Sequence, residues 1–289
     1  MLSCHVERVL DDRVWRLFGD LHAGRPFGFT PTPLVRSPAF AEGEAGGPWL
    51  ERVRALAARA PIGHHTHFGG VHHARPRIAG GTGELVRSEA VWLREHGLAP
   101  AWFCGGGWYL DRDVAGAVAD LGYADTTAVT AVPRYWIEGA RHLALRGPAW
   151  VRLDNGRRFF ELPSSHSLGT AVRDLLWRGT AGEPVHIHIH DWELLDRRRR
   201  AALHAVLRVL AVTHRPLPLE AVIAEFADAA PEVLLSHVLV GDELNPHVPP
   251  EPHGLRRLAT FLPSAASRRR PPSASGEVRR AGRPGRDAA

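Results

Sequence analysis

Lysine is absent from all 289 residues, so every one of the 36 basic side chains is an arginine. That absence excludes the phosphate-binding Gly-x-x-x-x-Gly-Lys-Ser/Thr loop, and no Gly-x-Gly-x-x-Gly follows the first apolar run, so a nucleotide-binding fold has no support. With abundant Ala, Gly and Pro, the missing lysine otherwise reads as compositional bias. Cysteine is scarce too. Cys4 and Cys104 make no disulfide framework, and there is no Cys-x-x-Cys. No apolar run approaches the ~18 residues of a membrane span. The opening residues, Met1 to Arg8, carry neither a basic leader nor a long apolar segment, so no signal peptide is visible. A cytoplasmic protein with no membrane partner is the expectation.

An excess of one charge is also missing from most of the chain. The formal net charge is +5, yet residues 267–289 alone hold seven arginines against Glu277 and Asp287, which accounts for all of it. The excess belongs to a Pro/Ser/Gly/Arg tail that cannot bury a core, so it is no argument for nucleic-acid binding. The expected organisation is an α/β barrel over residues 1–230, a C-terminal extension over 231–262 and a disordered basic tail over 263–289. No oligomeric state is implied.

What is present is an alternation of short apolar strands and helical stripes. Leu2–Val6 reads as a strand, Val9–Leu21 as a helix and Phe27–Leu34 as a second strand. Pro48–Ala58, Glu84–His96 and a helix capped by Asp111 and closed at Gly122 follow, with strands at Ala99–Cys104 and Ala124–Val129. Pro184–His190 is a further strand, followed by helices at Asp196–Val212 and Leu219–Ala227. Such alternation with short connections predicts a parallel α/β architecture. Polar residues sit at strand ends scattered along the chain. That favours a barrel, whose site gathers from the C-terminal ends of several strands.

Three of those strand ends carry chemistry. In Gly63–His64–His65–Thr66–His67, strand alternation puts His65 and His67 on one side, as a metal at a barrel mouth requires. His5 and Glu7 alternate in the same way at the end of the first strand, offering an oxygen ligand and either a ligand or a general base. In Val185–His190 the aliphatic residues share one face, while His186, His188 and His190 share the other. His190, nearest the strand end, is the candidate for chemistry.

The order of these motifs resembles the polysaccharide deacetylase family, carbohydrate esterases built on the NodB homology domain. Ser3–Cys4–His5–Val6–Glu7 resembles the family's Asp-x-Asp motif, with His5 at the base position and Glu7 at the metal-ligand position. His65–Thr66 aligns with the start of its His-Ser/Thr-x-x-His motif, whose second His falls at Gly69. Phe103–Cys104–Gly105–Gly106–Gly107–Trp108–Tyr109 resembles a Gly-rich variant of the third motif, with Cys104 where the family has an Arg that pairs with the base Asp. Ile187–His188–Ile189–His190 resembles the last motif. The similarity spans roughly Leu2 to Leu219.

The resemblance implies a distorted (β/α) barrel, an incomplete TIM-like one, and a divalent metal, most often Zn²⁺, that activates water and polarises an acetamide carbonyl. On that pattern Glu7, His65 and His67 are ligands, with His67 standing in for the missing second His. His5 is the general base and His190 the general acid. Gly106 or Trp108 supplies a backbone N–H to the oxyanion, and Trp102, Trp108, Tyr109 and Trp192 face the sugar. The implied substrate is an N-acetylated sugar, small glycan or small amide. Loss of Asp at the base position and of Arg at position 104 suits either a rewired acid/base site or a decayed one that binds glycan or a partner. A different metallohydrolase barrel with His-x-His at a strand end is the third reading, although those usually place it on the first strand.

Overall fold

The computed structural model of the protein describes residues 1–130, 139–178 and 184–241. The predicted tail, and the extension beyond residue 241, lie outside the described residues.

The first half alternates strictly: β1 (Leu2–Val6), α1 (Asp12–Gly24), β2 (Thr32–Arg36), α2 (Gly46–Ala57), β3 (Gly63–Thr66), α3 (Thr82–Glu95), β4 (Trp102–Gly105), α4 (Arg112–Leu121) and β5 (Ala124–Asp125). Shorter strands then follow: β6 (His142–Leu143), β7 (Ala149–Arg152), β8 (Arg158–Glu161) and β9 (His166–Ser167). Alternation resumes with α5 (Leu168–Arg178), β10 (Ile187–His190), α6 (Arg197–Thr213) and α7 (Leu219–Phe226), before β11 (Glu232–Leu234), α8 (Leu235–Val238) and β12 (Leu239–Val240). Asp11, Asp111 and Asp196 cap α1, α4 and α6 by accepting backbone N–H bonds of their first turns. The second strand begins later than the expected Phe27. Phe27 and Gly28 adopt left-handed backbone (φ 55° and 85°) in a tight turn, which delays extension until Thr32.

Among the described residues, the main sheet has ten strands in the order β11-β7-β8-β5-β4-β3-β2-β1-β10-β9. Neighbours are parallel except β7 and β8. Its flanks are joined through residues 161–167. The Leu162 and Ser164 amides donate to Asp125 and Ala128 carbonyls (2.8 and 2.7 Å), while those of Ser165 and His166 donate to the His186 carbonyl (3.1 and 3.0 Å). One stretch therefore belongs to both flanks, and the sheet curls into a distorted, incomplete barrel without a continuous closed ladder. Within residues 231–240, β11 joins this sheet by pairing with β7, while β12 and β6 form a separate two-stranded antiparallel sheet.

Alternation sorts the strand residues between layers. Leu2, Cys4 and Val6 pack with Phe18, Leu21, Leu203 and Leu207 of α1 and α6, and Phe103 packs with Val86, Val114 and Val118 of α3 and α4. Leu34, Trp102, Cys104, Ala124, Phe160 and Leu162 form a separate cluster with Leu219 and Val222 of α7. The interior is so full that a Cβ on Gly63 would lie 2.3 Å from Leu34 Cδ2. Among the described residues, no helix is long and apolar enough to cross a membrane.

Candidate active site

The inner rows of β1, β3, β4 and β10 end in Glu7, His67, Gly106 and His190, all on the C-terminal side of parallel strands. In register, His5 lies opposite His190 and His65 opposite Cys104. β1 and β3 are separated by β2, and a flat sheet would hold them roughly 10 Å apart. Barrel curvature brings the His5 and His65 rings to 4.5 Å between centroids.

The three histidines of the His-His-Thr-His stretch separate as alternation demands. His64 points outward, its Nε2 2.8 Å from Glu89 Oε2 on α3, a carboxylate that also accepts from Thr66 Oγ1 at 2.6 Å. It fastens a helix. His65 and His67 point inward. The His65 Nδ1–H donates to the Cys104 carbonyl (2.8 Å) and the His67 Nδ1–H to the Val71 carbonyl (3.2 Å). Each ring therefore turns its Nε2 toward Glu7 Oε1, within hydrogen-bond distance at 3.2 Å for His67 and at 3.6 Å for His65. The His65 side chain is 1 % exposed, and its Nε2 has no hydrogen-bond partner.

With each Nδ1 spent on a carbonyl, such an approach to a carboxylate oxygen requires a proton or a metal ion at Nε2, and His65 makes no hydrogen bond there. Neutral imidazoles with a carboxylate are a donor set for a divalent metal, and carbonyl acceptors behind both Nδ1 atoms fix the tautomers such a set needs. The residues fit a metal. Ligand atoms of His5, Glu7 and His65 all lie within 4.8 Å of one another, while His67 joins through Glu7.

Burial, together with His65, His190 and His188, holds the buried His5 imidazole well below its usual pKa, against an opposing pull from Glu7. Its Nε2 lies 3.6 Å from the Cys104 thiol. The two departures from the family pattern thus touch each other. His190 is the opposite case. Burial would lower it, but Glu7 and Glu193 raise it to about 9, so it carries a proton at neutral pH. Glu193 Oε2 accepts the His190 backbone N–H at 3.0 Å and stands 3.8 Å from Nδ1. Burial pushes the Glu7 carboxyl upward, yet His190, His67 with its hydrogen bond, and the close approach of His65 hold it well below the usual range.

The remaining sequence candidates divide. Trp108, at φ 55°, sets its ring edge-on to His188 (4.8 Å) and 6.2 Å from His5, as a wall of the site. Trp192 donates its indole N–H to Glu7 Oε2 (3.2 Å) and stacks on His190, so it supports the cluster directly. Gly106 is where two loops meet, and a Cβ there would lie 2.6 Å from the Thr66 and Ala74 carbonyl oxygens and 3.1 Å from His67. Tyr109 requires correction as a sugar-facing residue. It is buried among Phe68, Phe103 and α4, with its hydroxyl donated to Asp111 at 3.0 Å, and Trp102 is likewise buried, against Leu219 and Val222 of α7. His188 is neutral, lowered to about 3 by burial and then by His190, and His186 lies 2.9 Å from Ser3 Oγ.

Sequence reasoning missed Arg36, Glu44, Asp191 and Glu193. The available signals were an arginine ending an apolar strand and a carboxylate three residues beyond His190, the spacing of the capping box found there.

No family model matches the sequence, and no curated protein matches it. Among solved structures, the fold is similar to that of a candidate polysaccharide deacetylase from Mycobacterium smegmatis, with TM-score 0.50 and 16% identity over 86% of this chain and 93% of that one. It is similar to a 4-alpha-glucanotransferase from Thermococcus litoralis, with TM-score 0.50 and 8% identity over 81% of this chain and 41% of the other. A family 4 carbohydrate esterase from Streptomyces lividans aligns with TM-score 0.41 and 14% identity over 73% of this chain and 87% of that one. At such identities the likeness is one of fold.

Proposed function

We propose that the protein is a metal-dependent hydrolase of the deacetylase type, which removes an acetyl or related acyl group from an N-acylated sugar, small glycan or small amide. The observation that carries this reading is the buried, unpartnered Nε2 of His65, aimed with that of His67 at a carboxylate oxygen of Glu7. Glu7, His65 and His67 hold the metal, with Zn²⁺ suited to such N/O ligands. When bound, it supplies Lewis-acid polarisation of the acyl carbonyl and acidification of water.

The protein's own residues divide the proton work. His5, held unprotonated by its burial, accepts the proton of the attacking water. His190, held protonated by Glu7 and Glu193, donates to the leaving amine. A base kept neutral beside an acid kept charged is the pairing that amide hydrolysis near neutral pH requires. Trp108 and His188 wall the site beside them.

The test is metal content followed by turnover. Purified protein should take up about one Zn²⁺ per chain, consistent with a single three-ligand site. His65→Ala should abolish uptake, and His5→Ala should keep the metal while losing turnover on N-acetylated oligosaccharides. Absence of Zn²⁺ binding in the folded wild-type protein would overturn the reading. Loss of metal in His5→Ala would move His5 from base to ligand.

A further inference from the structure

We infer that Arg36 and Asp191 form a two-sided clamp on the Glu7–Arg8 peptide, and that this clamp sets the Glu7 carboxylate against the histidines. The inference rests on the metal-centre reading above and adds to it the residues that build the centre.

Glu7 lies one residue beyond the last hydrogen-bonded residue of β1, so the strand ladder does not fix its backbone. Both polar atoms of the peptide that follows it are nonetheless held. The carbonyl of Glu7 accepts from Arg36 Nε (3.2 Å) and Nη2 (3.0 Å), at the end of β2. The Arg8 N–H of the same peptide donates to Asp191 Oδ2 (2.8 Å), just past β10. These contacts come from the two strands that flank β1. A peptide plane fixed at both ends has no freedom to rotate, and its orientation dictates where the Glu7 side chain starts.

Each half of the clamp is itself held. Arg36 is 4 % exposed, and all five guanidinium hydrogens have acceptors. Beyond the two bonds to Glu7, Nη1 donates to the Ser37 carbonyl (2.9 Å), and Nη1 and Nη2 donate in parallel to Glu44 (2.9 and 2.7 Å). The Glu44 carboxylate also accepts the Ala39 N–H (2.8 Å), and the Arg36 carbonyl accepts the Trp49 indole N–H (3.0 Å). Asp191, fully buried, uses its second oxygen to accept the Trp192 N–H at 2.8 Å. Such a complete fork–fork arrangement is one that Lys cannot reproduce, because an ammonium offers a compact point charge with three donors. A buried ion pair costs desolvation, so its presence beside Glu7 needs a reason other than stability. Orienting a ligand is such a reason, since partners behind a ligand typically control metal affinity by about 10–100-fold.

The experiment reads Glu7 placement by two routes that do not involve turnover. One is Zn²⁺ affinity by competition titration. The other is the indole N–H resonance of Trp192 in the metal-free protein, assigned with Trp192→Phe, because that N–H donates to Glu7 Oε2. Asp191→Asn changes one atom and keeps the shape, and Arg36→Lys keeps the charge. If Arg36→Lys fails to fold, Glu44→Gln loosens the same guanidinium. Each variant is expected to weaken Zn²⁺ binding about 10-fold or more; the indole signal is read in the Arg36 and Glu44 variants, since Asp191 touches the Trp192 backbone directly, and it is expected to move there, whereas a variant that only lowers stability leaves the folded protein's resonance in place. Unchanged affinity and an unchanged indole signal overturn the clamp and leave the metal reading standing. A moved indole signal in a wild-type background that binds no metal keeps the clamp and removes the metal reading. Weakened affinity with an unmoved indole signal also counts against the clamp, because Glu7 would not have shifted.

Discussion

Gly69 occupies the position where the resemblance calls for a second histidine, and the fold leaves no room for one. The Gly69 N–H donates to the His73 carbonyl (2.9 Å) in a tight return of the chain, and a Cβ there would meet the Arg75 carbonyl oxygen at 2.6 Å and His73 Cβ at 2.8 Å. Gly69→Ala should cost about 1–3 kcal/mol in urea unfolding, and Gly69→His should not create a ligand. A stable Gly69→His protein with raised Zn²⁺ affinity would contradict that account. A second residue-scale expectation concerns Asp125 and Glu161, fully buried and opposite each other on β5 and β8. Thr127 N–H and Oγ1 donate to Asp125 Oδ1, the Ala128 N–H donates to Glu161 Oε1, and burial keeps both carboxyls above their usual range, Asp125 at about 6. The folded pair therefore retains a proton that the unfolded chain releases near its ordinary value of 3.8–4.5. Its stabilising effect is full below that value and is lost as pH rises through the folded one. Asp125→Asn, whose amide can donate where the shared proton sat, should flatten the fall in unfolding free energy that starts near pH 4 and runs through about 6. An unchanged slope would place the pH dependence elsewhere.

Elements carry the site by the way they end. β3 stops at Thr66, β4 at Gly105 and β10 at His190, so the side chains that matter lie on the last inner position or just past it. The loops beyond β3 and β4 touch closely because Gly106 and Gly107 have no side chains to hold them apart. Asp111 then starts α4 and performs three tasks: it accepts the Val114 N–H at 2.8 Å, the Thr82 hydroxyl at 2.7 Å and the Tyr109 hydroxyl at 3.0 Å. Asp111→Ala removes the cap and orphans two buried hydroxyls, so a loss of about 2–3 kcal/mol is expected. Asn should restore part of it. The check is chemical denaturation of the three proteins side by side, and an alanine variant within 0.5 kcal/mol of wild type, the usual surface range, would rule out the triple role.

At the scale of the whole molecule, the barrel has a packed interior beneath a polar mouth. Leu219 and Val222 of α7 pack against Leu34, Trp102 and Phe160, while the imidazoles and Glu7 lie toward the C-terminal ends of the strands. Truncating the packing should destabilise the fold without altering the mouth. Leu219→Ala is expected to cost about 2–5 kcal/mol with Zn²⁺ stoichiometry unchanged in the protein that remains folded. If metal uptake fell in proportion to side-chain volume lost at this position, the two regions would not be independent.

Most of the first-half elements, and the faces of their strands, were legible in the chain alone, although the second strand starts at Thr32 rather than Phe27. Period-2 alternation placed His65 and His67 together and turned His64 away, and the Asp111 and Gly122 signals bounded α4, because such preferences are local to a few residues. The sequence marked His5 and Cys104 as departures from a pattern but could not show them in contact, since they lie 99 positions apart. Only tertiary structure decided that Tyr109 faces inward to Asp111, that Gly69 cannot bear a side chain, and that Arg36 and Asp191 reach the same peptide. Each of those outcomes depends on curvature and on which strands become neighbours. β1 sits between β2 and β10 in the sheet order, which sets Glu7 beside His190, and the curvature of the sheet across β2 brings His65 to the same place.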